Sequence, residues 1–527
     1  MKLSNILRAA FALLAISLSA ATAAPNEDRP NIVIIFADDL DADEIGCTAD
    51  EIHTWATPSG AKRVVGKGLK AGSSQVYTPA IDSLAENGMM FTRFYVNATV
   101  CSSSRYCLLT GRLATAGPEI QLDYEPGTHA RLEWRPGMFR AETNLPKTLQ
   151  GLGYRTAIIG KWHNIPQNVK LPKRVKADHQ ANATYEHTSS VDEKLKRHYA
   201  AHKKFLSDGF GWDVVDRMEW GNSIVNLDWQ CEGALKFIEE TDDQPFFLYC
   251  ALPVPHGQYS FGYNDISTYD DRVSSNGILD YVPDVLPSVE DVYRRVEEQG
   301  APRENAMATR MDDYVDAVLK KLDEKGIREN TIVIFTSDHG SRGKNSVNQG
   351  GAKVPMIVSW PAKVEAGSEC DSLIGSIDIS ATLVDLAGGE LPGDMSQHND
   401  SFGPQLLGDP EPTDWRESLL IEAGNSKGVV TRQWSYIANR VPPETAKAMK
   451  ERPGEVYWTG LDHHNYQNDK MYPNFWDADQ LYDLEKDIYE MENLAGNPEY
   501  AGVLKMMKGE LSEVLKELPF AFGEFTR

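Results

Sequence analysis

The stretch Asn31-Ile32-Val33-Ile34-Ile35-Phe36-Ala37-Asp38-Asp39 is a short apolar run that stops at two carboxylates. An uninterrupted run of this length, rich in β-branched residues, is typical of a strand that is buried on both faces of a parallel sheet. Ligands of open α/β sheets collect at the carboxyl ends of such strands. We therefore predict that Asp38 and Asp39 lie at a ligand-binding edge of a sheet.

Further apolar runs repeat this pattern along the chain. We predict strands over residues 156–160, 245–249, 331–336 and 353–360, and amphipathic helices over residues 78–85 and 306–325. Strands that alternate with helices indicate an α/β fold, with a large, mostly parallel sheet sandwiched between helices. Residues 169–222 have weaker periodicity and many charges, and we interpret them as an insertion near the mouth of the site.

The first residues resemble an export signal. Lys2 and Arg8 precede an apolar run over residues 9–18, and small residues follow up to Ala24. This order is that of a cleaved signal peptide, and the run is too short to span a bilayer comfortably. We therefore predict that residues 1–24 are removed, and that the protein is exported to the periplasm or secreted, with no membrane segment in its mature form. A retained signal anchor is the alternative.

The pattern of apolar and polar residues changes after Gly388-Gly389. Short strands are predicted near residues 418–421 and 434–437, and an amphipathic helix over 498–518 closes the chain. Such a mixture indicates a smaller C-terminal α+β domain. The predicted division is an N-terminal catalytic domain over residues 25–394 and this smaller domain over residues 395–527.

The chain is strongly acidic, with 53 Lys and Arg against 77 Asp and Glu and a net charge of −24. This balance disfavours nucleic acid and anionic membranes as partners. An anionic substrate would be repelled at long range, so its site needs a local cluster of cations, and salt would help by screening. The six cysteines are too few for a disulfide scaffold.

A second informative stretch is Cys101-Ser-Ser-Ser-Arg105-Tyr-Cys-Leu-Leu-Thr-Gly-Arg112. The Cys, the Arg four residues later and the Leu-Thr-Gly-Arg ending resemble the signature of the formylglycine-dependent sulfatases, in the alkaline phosphatase superfamily. The resemblance implies that a formylglycine-generating enzyme oxidises Cys101 to an aldehyde, 3-oxoalanine, whose hydrate is the nucleophile, and that Arg105 stabilises it. Pro is commonest where Ser103 stands, so the maturation system is left open. The plain alternative is a buried Cys at a helix start.

Carboxylates follow two of the predicted strands. Asp38, Asp39, Asp338 and His339 supply three carboxylates and one imidazole, and like charges brought together require a cation between them. Oxygen-rich sets suit calcium better than magnesium. The sulfatases that this chain resembles bind calcium at these four positions, so the resemblance implies one Ca²⁺ with residue 101, here Cys101, as a further ligand. Solvated turns are the alternative.

Lys161-Trp162-His163 follows the strand predicted over residues 156–160 and is similar to the Lys-x-His of the sulfatases. Lys161 offers a point charge for sulfate oxygens. His163 titrates near working pH and can take a proton from a bound hydroxyl. A surface Lys beside a packed Trp and His is the alternative.

Two further residues are assigned on the resemblance. His256 matches the lone His that follows a Phe-Phe-Leu strand in the family, where it helps to protonate the departing alcohol. Lys344 stands ten residues before Val354, as the family Lys does before a basic-Val-Pro strand, and its implied role is to bind sulfate and stabilise the leaving oxygen. Lys353 is the competing candidate for this role.

The resemblance implies hydrolysis of a sulfate ester with cleavage at sulfur, in which Asp338 assists deprotonation of the attacking hydroxyl. We predict a sulfated polysaccharide or oligosaccharide as substrate, because an exported chain with an aromatic-rich stretch suits a carbohydrate. Sugar contacts are predicted for Tyr457, Trp458, His463, His464 and Trp476. Two alternatives stay open: a phosphonate or phosphate ester hydrolase of the same superfamily, and an unmatured protein that binds sulfated glycans.

Overall fold

A computed structural model of the chain describes residues 29–48, 76–132, 134–172, 185–219, 225–256, 266, 271–452 and 468–525. The predicted signal peptide and the predicted sugar contacts at residues 457, 458, 463 and 464 lie outside these residues. Among the helices that are described, none combines the length and the apolar character needed to cross a membrane.

The strands of the described residues are β1 (Asn31–Asp38), β2 (Met89–Phe91), β3 (Phe94–Tyr95), β4 (Arg155–Lys161), β5 (Val214–Glu219), β6 (Phe246–Pro255), β7 (Val273–Ser274), β8 (Gly277–Ile278), β9 (Thr331–Ser337), β10 (Met356–Ser359), β11 (Ser368–Cys370), β12 (Ile374–Gly375), β13 (Leu419–Ala423), β14 (Ser426–Val430), β15 (Trp434–Asn439) and β16 (Asp479–Asp483). The helices are α1 (Pro79–Glu86), α2 (Cys101–Thr110), α3 (Pro118–Asp123), α4 (Leu145–Gly151), α5 (Tyr185–Ser207), α6 (Leu227–Glu239), α7 (Val289–Glu298), α8 (Ala306–Glu324), α9 (Gln349–Ala352), α10 (Asp378–Leu386), α11 (Gly403–Leu406), α12 (Pro443–Glu451), α13 (Asn468–Met471) and α14 (Ala501–Leu515).

The main sheet has eight strands in the order β11-β2-β10-β9-β1-β6-β4-β5. Strand β1 lies inside the sheet and pairs in parallel with β9 on one side and β6 on the other. Strands β4 and β5 extend the parallel part, whereas β10 runs antiparallel to β9. The α/β fold with a large, mainly parallel sheet is thereby confirmed.

Both faces of β1 are covered, which explains its uninterrupted apolar sequence. Ile32, Ile34 and Phe36 pack into one core cluster with side chains of α2, α4, α5 and α10. Val33 and Ile35 point to the opposite face and pack with side chains of α1, α6, α7 and α8. Because successive side chains of a strand alternate between faces, a strand between two helix layers needs apolar residues at every position.

The interpretation of residues 169–222 as an insertion is wrong in part. Within this range α5 packs on the sheet, and β5 pairs in parallel with β4 to form the edge of the main sheet. An edge strand has polar positions toward solvent, so its sequence lacks the continuous apolar run of β1. A second difference concerns residues 353–355, which precede β10 instead of belonging to it.

A smaller antiparallel sheet of β13, β14, β15 and β16 forms the second structural unit. One face packs against α14, and the other packs against residues of the main unit near α9, including Val347 and Ala352. The smaller α+β unit is confirmed, while its predicted boundary at residue 395 stays a prediction. All six cysteines lie in the described part of the chain, and none of them forms a disulfide there.

Candidate active site

The carboxyl ends of β1 and β9 bring the predicted acidic residues together. The backbone N–H of Asp39 donates to Oδ1 of Asp338 at 3.0 Å, and the N–H of Asp338 donates to the carbonyl of Ala37 at 3.1 Å. Asp39 has a left-handed backbone with φ of 63°, a conformation that Asp tolerates better than most residues. This turn aims the Asp38 and Asp39 carboxylates into one buried space.

Cys101 is the first residue of α2, a helix whose ten residues are all buried. Arg105 follows one turn later and therefore lies on the same face of the helix. Its Nε and Nη2 donate to Oδ2 of Asp338 at 3.1 and 2.9 Å, and Nη2 lies 3.7 Å from Oδ1 of Asp38. The start of α2 is thus fixed against the ends of β1 and β9.

Lys344 connects three of the predicted site residues. Its Nζ donates to Oδ1 and Oδ2 of Asp39 at 2.8 and 3.0 Å, lies 2.9 Å from Nε2 of His256, and lies 3.6 Å from Sγ of Cys101. His256 follows the end of β6 and its Nε2 is 3.5 Å from Oδ2 of Asp39. These contacts place Lys344 in the position that the sequence predicts. Lys353, the competing candidate, lines a small cavity with Asp41.

Lys161 and His163 enter from the end of β4. The Nζ of Lys161 donates to Oδ2 of Asp38, so this Lys joins the buried cluster directly. His163 lies at the periphery, with its ring 5.7 Å from that of Trp134. Its Nδ1 is buried without a hydrogen-bond partner among the described residues. Nine of the ten residues predicted as catalytic or metal-binding are therefore joined by direct contacts into one cluster. His163 lies beside this cluster.

Burial and charge together set the protonation of the cluster. Burial alone would raise the pKa of Asp38, but Lys161 and the other nearby cations hold that pKa well below its ordinary value. Burial raises the pKa of Asp39 to about 6, despite the nearby Lys344. Burial also holds the pKa values of His163 and His256 well below the ordinary value, helped by the charges of Lys161 and Lys344 respectively. Both imidazoles are consequently neutral at pH 7.

The donor set fits a cation. One ligand atom each from Asp38, Asp39, Cys101 and His339 lies within 4.8 Å of the others. Oδ1 of Asp38 is buried without a hydrogen-bond partner among the described residues. Nδ1 of His339 lies 3.1 Å from the carbonyl of Gly340, which can only accept, so Nδ1 carries a proton and Nε2 faces the cluster. Asp338, which we also predicted as a ligand, uses its oxygens for Arg105 and the backbone of Asp39.

The structure also shows supporting residues that the sequence did not reveal. The loop that carries Lys344 is held by the smaller unit: Asn468 Nδ2 donates to the carbonyl of Lys344 at 2.9 Å, and Glu490 accepts from Asn348 Nδ2 and the N–H of Gln349 at 2.9 and 2.8 Å. These residues are more than 120 positions away from the loop, and no motif or periodicity in the sequence marks them.

Two tryptophans of the described residues, Trp134 and Trp476, are partly exposed. Trp134 is 39% exposed and its ring lies beside both His163 and Nζ of Lys344. No sequence pattern had indicated it. Trp476, which we predicted as a sugar contact, is 49% exposed and packs edge-on against Phe475 at 5.1 Å. Its role stays a prediction.

Two known sulfatases align with the sequence over most of its length. The chain is 24% identical to the ulvan-active sulfatase of Formosa agariphila, over 93% of this chain and 80% of that protein. It is also 24% identical to the N-acetylgalactosamine-6-O-sulfatase of Bacteroides thetaiotaomicron, over 94% of each.

Solved structures share the fold. A 6S-sulfatase structure from glycosaminoglycan metabolism in Bacteroides thetaiotaomicron aligns with a TM-score of 0.58 at 20% identity, covering 93% of this chain and all of that one. A protein solved with its substrate D-glucosamine-2-N,6-O-disulfate aligns at 0.57 and 18% identity, covering 93% of this chain and 98% of that one. The sulfatase family model matches residues 30–389, which is more than half of the sequence. The chain therefore belongs to the sulfatase family of sulfuric ester hydrolases.

Proposed function

We propose that this sulfatase releases sulfate from a sulfated polysaccharide or its oligosaccharides, with a formylglycine made from Cys101 and one Ca²⁺ in the site. The observation that carries the proposal is the convergence of Cys101 with Asp39, His339 and Lys344 in one buried cluster. Export of the chain through residues 1–24 is part of the same proposal.

The cations of the site would hold the sulfate group. Lys161, Lys344 and Arg105 are buried within the cluster, and each is paired with a carboxylate. Charges fixed in a dry site stabilise a transferring anion more strongly than charges in water do. The start of α2 adds backbone N–H groups and the positive end of a helix dipole at residue 101.

Proton transfer is served by the residues around Cys101. His339 Nε2 is 3.3 Å from Sγ of Cys101, and the Nζ of Lys344 is 3.6 Å from the same atom. The leaving alcohol needs a proton, for which His256 is the predicted donor with help from Lys344, and the Nζ of Lys344 lies 2.9 Å from Nε2 of His256. His163, neutral in the free protein, can accept a proton from a hydroxyl at residue 101.

Two groups complete this machinery. A formylglycine-generating enzyme would oxidise Cys101 to the aldehyde with loss of its sulfur, and addition of water to the aldehyde would supply a hydroxyl nucleophile for covalent catalysis. A bound Ca²⁺ would supply positive charge that polarises sulfate oxygens. Asp38, Asp39, His339 and residue 101 would hold the ion, while Asp338 keeps its oxygens on Arg105 and the backbone of Asp39.

The glycan preference rests on the relatives. The proteins compared above are named for activity on ulvan or on N-acetylgalactosamine 6-sulfate, or were solved with a disulfated glucosamine. A sulfated sugar is therefore the substrate class with most support for this chain. Release of sulfate from small aryl or choline esters, with none from any sulfated glycan, would contradict this preference.

The first test is the state of Cys101 in protein purified from its native host. Peptide mass spectrometry should show loss of sulfur and gain of an aldehyde oxygen at this residue. The variant Cys101→Ala should fold normally and lose all turnover, because no nucleophile remains. The matched control is Cys107→Ala, which removes a buried thiol further along α2 that packs in a core cluster with Leu113 and Ile120, and this variant should keep its activity.

The same experiment separates the alternatives. Substantial turnover by Cys101→Ala would contradict covalent catalysis at this residue. An intact thiol at Cys101 with binding of sulfated glycans, and no sulfate release, would instead favour an unmatured binding protein. Faster cleavage of phosphonate or phosphate esters than of sulfate esters would favour the related hydrolase.

A further inference from the structure

Trp134 is the aromatic side chain at the edge of the catalytic cluster. Its ring centroid lies 5.7 Å from that of His163, with the planes inclined by 46°, and 5.5 Å from Nζ of Lys344. The side chain nevertheless remains 39% exposed. The indole therefore contacts two groups of the proposed sulfate chemistry and presents apolar surface outward from them.

The segment that follows Trp134 is firmly held. Asn164, which is fully buried, donates from Nδ2 to the carbonyls of Ser102 and Pro136 at 2.6 and 2.9 Å. Its own carbonyl accepts from the N–H of Met138 at 2.9 Å. The chain after Trp134 is thus tied to the start of α2 and to the segment that bears His163.

Glu119 also holds together the two segments that follow Trp134 and His163. The carboxylate of Glu119, which is 5% exposed, accepts from the backbone N–H of Gly137 and of Gln167. Aromatic side chains mounted on fixed backbone bind with little loss of conformational freedom, because the order exists before the ligand arrives. Trp134 meets this condition.

We propose that Trp134 is the platform on which the ring of the sulfated sugar stacks while its sulfate group occupies the cluster around residue 101. This inference rests on the proposed function and adds a specificity-determining residue to it. The sulfate needs buried cations, but the carbon skeleton that bears it must leave the cluster past Lys344 and His163. The exposed indole stands at that exit and offers its electron-rich face to the C–H groups of a pyranose.

The ligand class follows from this geometry. A sugar ring can cover the indole, whereas inorganic sulfate reaches only the cations behind it. Stacking on an aromatic side chain is worth about 1–3 kcal/mol per ring in nucleic-acid complexes, which corresponds to roughly 5- to 150-fold in affinity. Loss of Trp134 should therefore weaken the binding of sulfated sugars and leave the binding of free sulfate largely intact.

The test is a calorimetric titration of the full chain carrying Cys101→Ala, which leaves no group at residue 101 that can become the nucleophile. The probes are N-acetylgalactosamine 6-sulfate, ulvan oligosaccharides and inorganic sulfate. Adding Trp134→Ala should raise the Kd of at least one sulfated sugar about tenfold or more, and Trp134→Phe should restore most of the affinity. Tyr281→Ala, which removes an aromatic side chain that is also 39% exposed but hydrogen-bonds Arg217 and Glu232, is the matched control and should leave every Kd unchanged. Trp476→Ala tests the competing sugar contact.

The outcomes are distinct. If Trp134→Ala weakens the binding of inorganic sulfate as much as that of the sugars, then Trp134 only positions Lys344, and the proposal that it is a stacking platform is wrong. If the parent binds sulfate but none of the sugars, or if only Trp476→Ala weakens the sugars, the platform is also wrong. If sugar binding depends on Trp134 while the matured enzyme cleaves no sulfate ester, the proposed catalysis fails and the platform stands.

Discussion

The contacts of Lys344 are the reason that this lysine, and not Lys353, is assigned to the site. Its Nζ touches Asp39, His256 and Cys101, so its charge lies where a leaving oxygen and a sulfate would be stabilised. Lys353, nine residues later, lies instead beside a cavity lined by Asp41 and Asp43. The two lysines have the same chemistry, and only their positions in the fold separate them.

We expect Lys344→Met to lower kcat by about 10²–10³, the effect of removing one group that stabilises transition-state charge. Lys353→Met is the matched control and should keep kcat close to that of the wild type. The measurement is steady-state sulfate release by the matured enzyme. Equal losses in both variants would show that the assignment of Lys344 over Lys353 is wrong.

At the scale of elements, the loop between β9 and β10 depends on the smaller unit. Glu490 accepts hydrogen bonds from Asn348, from the N–H of Gln349 and from Ser435 Oγ, the last at 2.6 Å. It thereby joins the loop that carries Lys344 to strand β15. Glu490 is a positioning residue, because it acts on the site through this loop.

We expect Glu490→Ala to lower kcat more than it raises KM, because Lys344 would lose its fixed position while the other cations remain. Partial rescue by Glu490→Gln, which keeps part of the hydrogen bonding, would distinguish positioning from a general loss of folding. Glu492→Ala, an exposed carboxylate two residues away, is the control. Unchanged kinetics in Glu490→Ala would show that the loop holds its shape without this contact.

Glu490 also links stability to pH. Burial raises its pKa to about 7, from an ordinary value of 4.5. Between these values the folded chain binds a proton that the unfolded chain has lost, so this stabilisation is present at low pH and is lost as the pH rises through 7. The difference corresponds to roughly 3 kcal/mol.

The Gln side chain of Glu490→Gln cannot titrate, so this variant should not lose folding stability in this way as the pH rises. Between pH 5 and pH 8, the urea midpoint of the wild type should therefore fall relative to that of the variant. Glu492→Gln should follow the wild type. Parallel curves for the wild type and Glu490→Gln would contradict the raised pKa.

At the scale of the whole molecule, charge governs how a polymer approaches. The chain has a net charge of −24, whereas the site itself holds the buried cations Lys161, Lys344 and Arg105. The net negative charge of the protein would repel a sulfated polysaccharide at long range, and the buried cations of the site would attract its sulfate groups. The Debye length is about 30 Å at 0.01 M salt and about 8 Å at 0.15 M, so added salt screens the distant repulsion first.

We therefore expect KM for a sulfated polysaccharide to fall as salt rises from about 0.01 to 0.15 M. KM for a sulfated monosaccharide should change less, because a small ligand carries little charge outside the site. Sulfate release measured on both substrates at each salt concentration checks this. A KM for the polymer that rises with salt would mean that attraction near the site dominates the approach.

The sequence by itself determined the central strands and most of the site. The apolar run of β1 and the run of β9 end at Asp38, Asp39, Asp338 and His339, and parallel strands place their carboxyl ends along one edge. The signature from Cys101 to Arg112 is local, so its helical spacing puts Arg105 on the face of Cys101. Local patterns of this kind are readable because the residues that act together are close in sequence or end equivalent elements.

Only the tertiary structure decided the rest. Strand β5 is the terminal strand of the main sheet in the described residues and lacks a continuous apolar run, so its place in the sheet follows only from its pairing with β4. Trp134 meets Lys344, and Glu490 meets Gln349, across long separations in the chain that leave no periodic trace. Contacts of this kind exist only after distant parts of the chain have packed against each other, and for that reason the sequence alone could not show them.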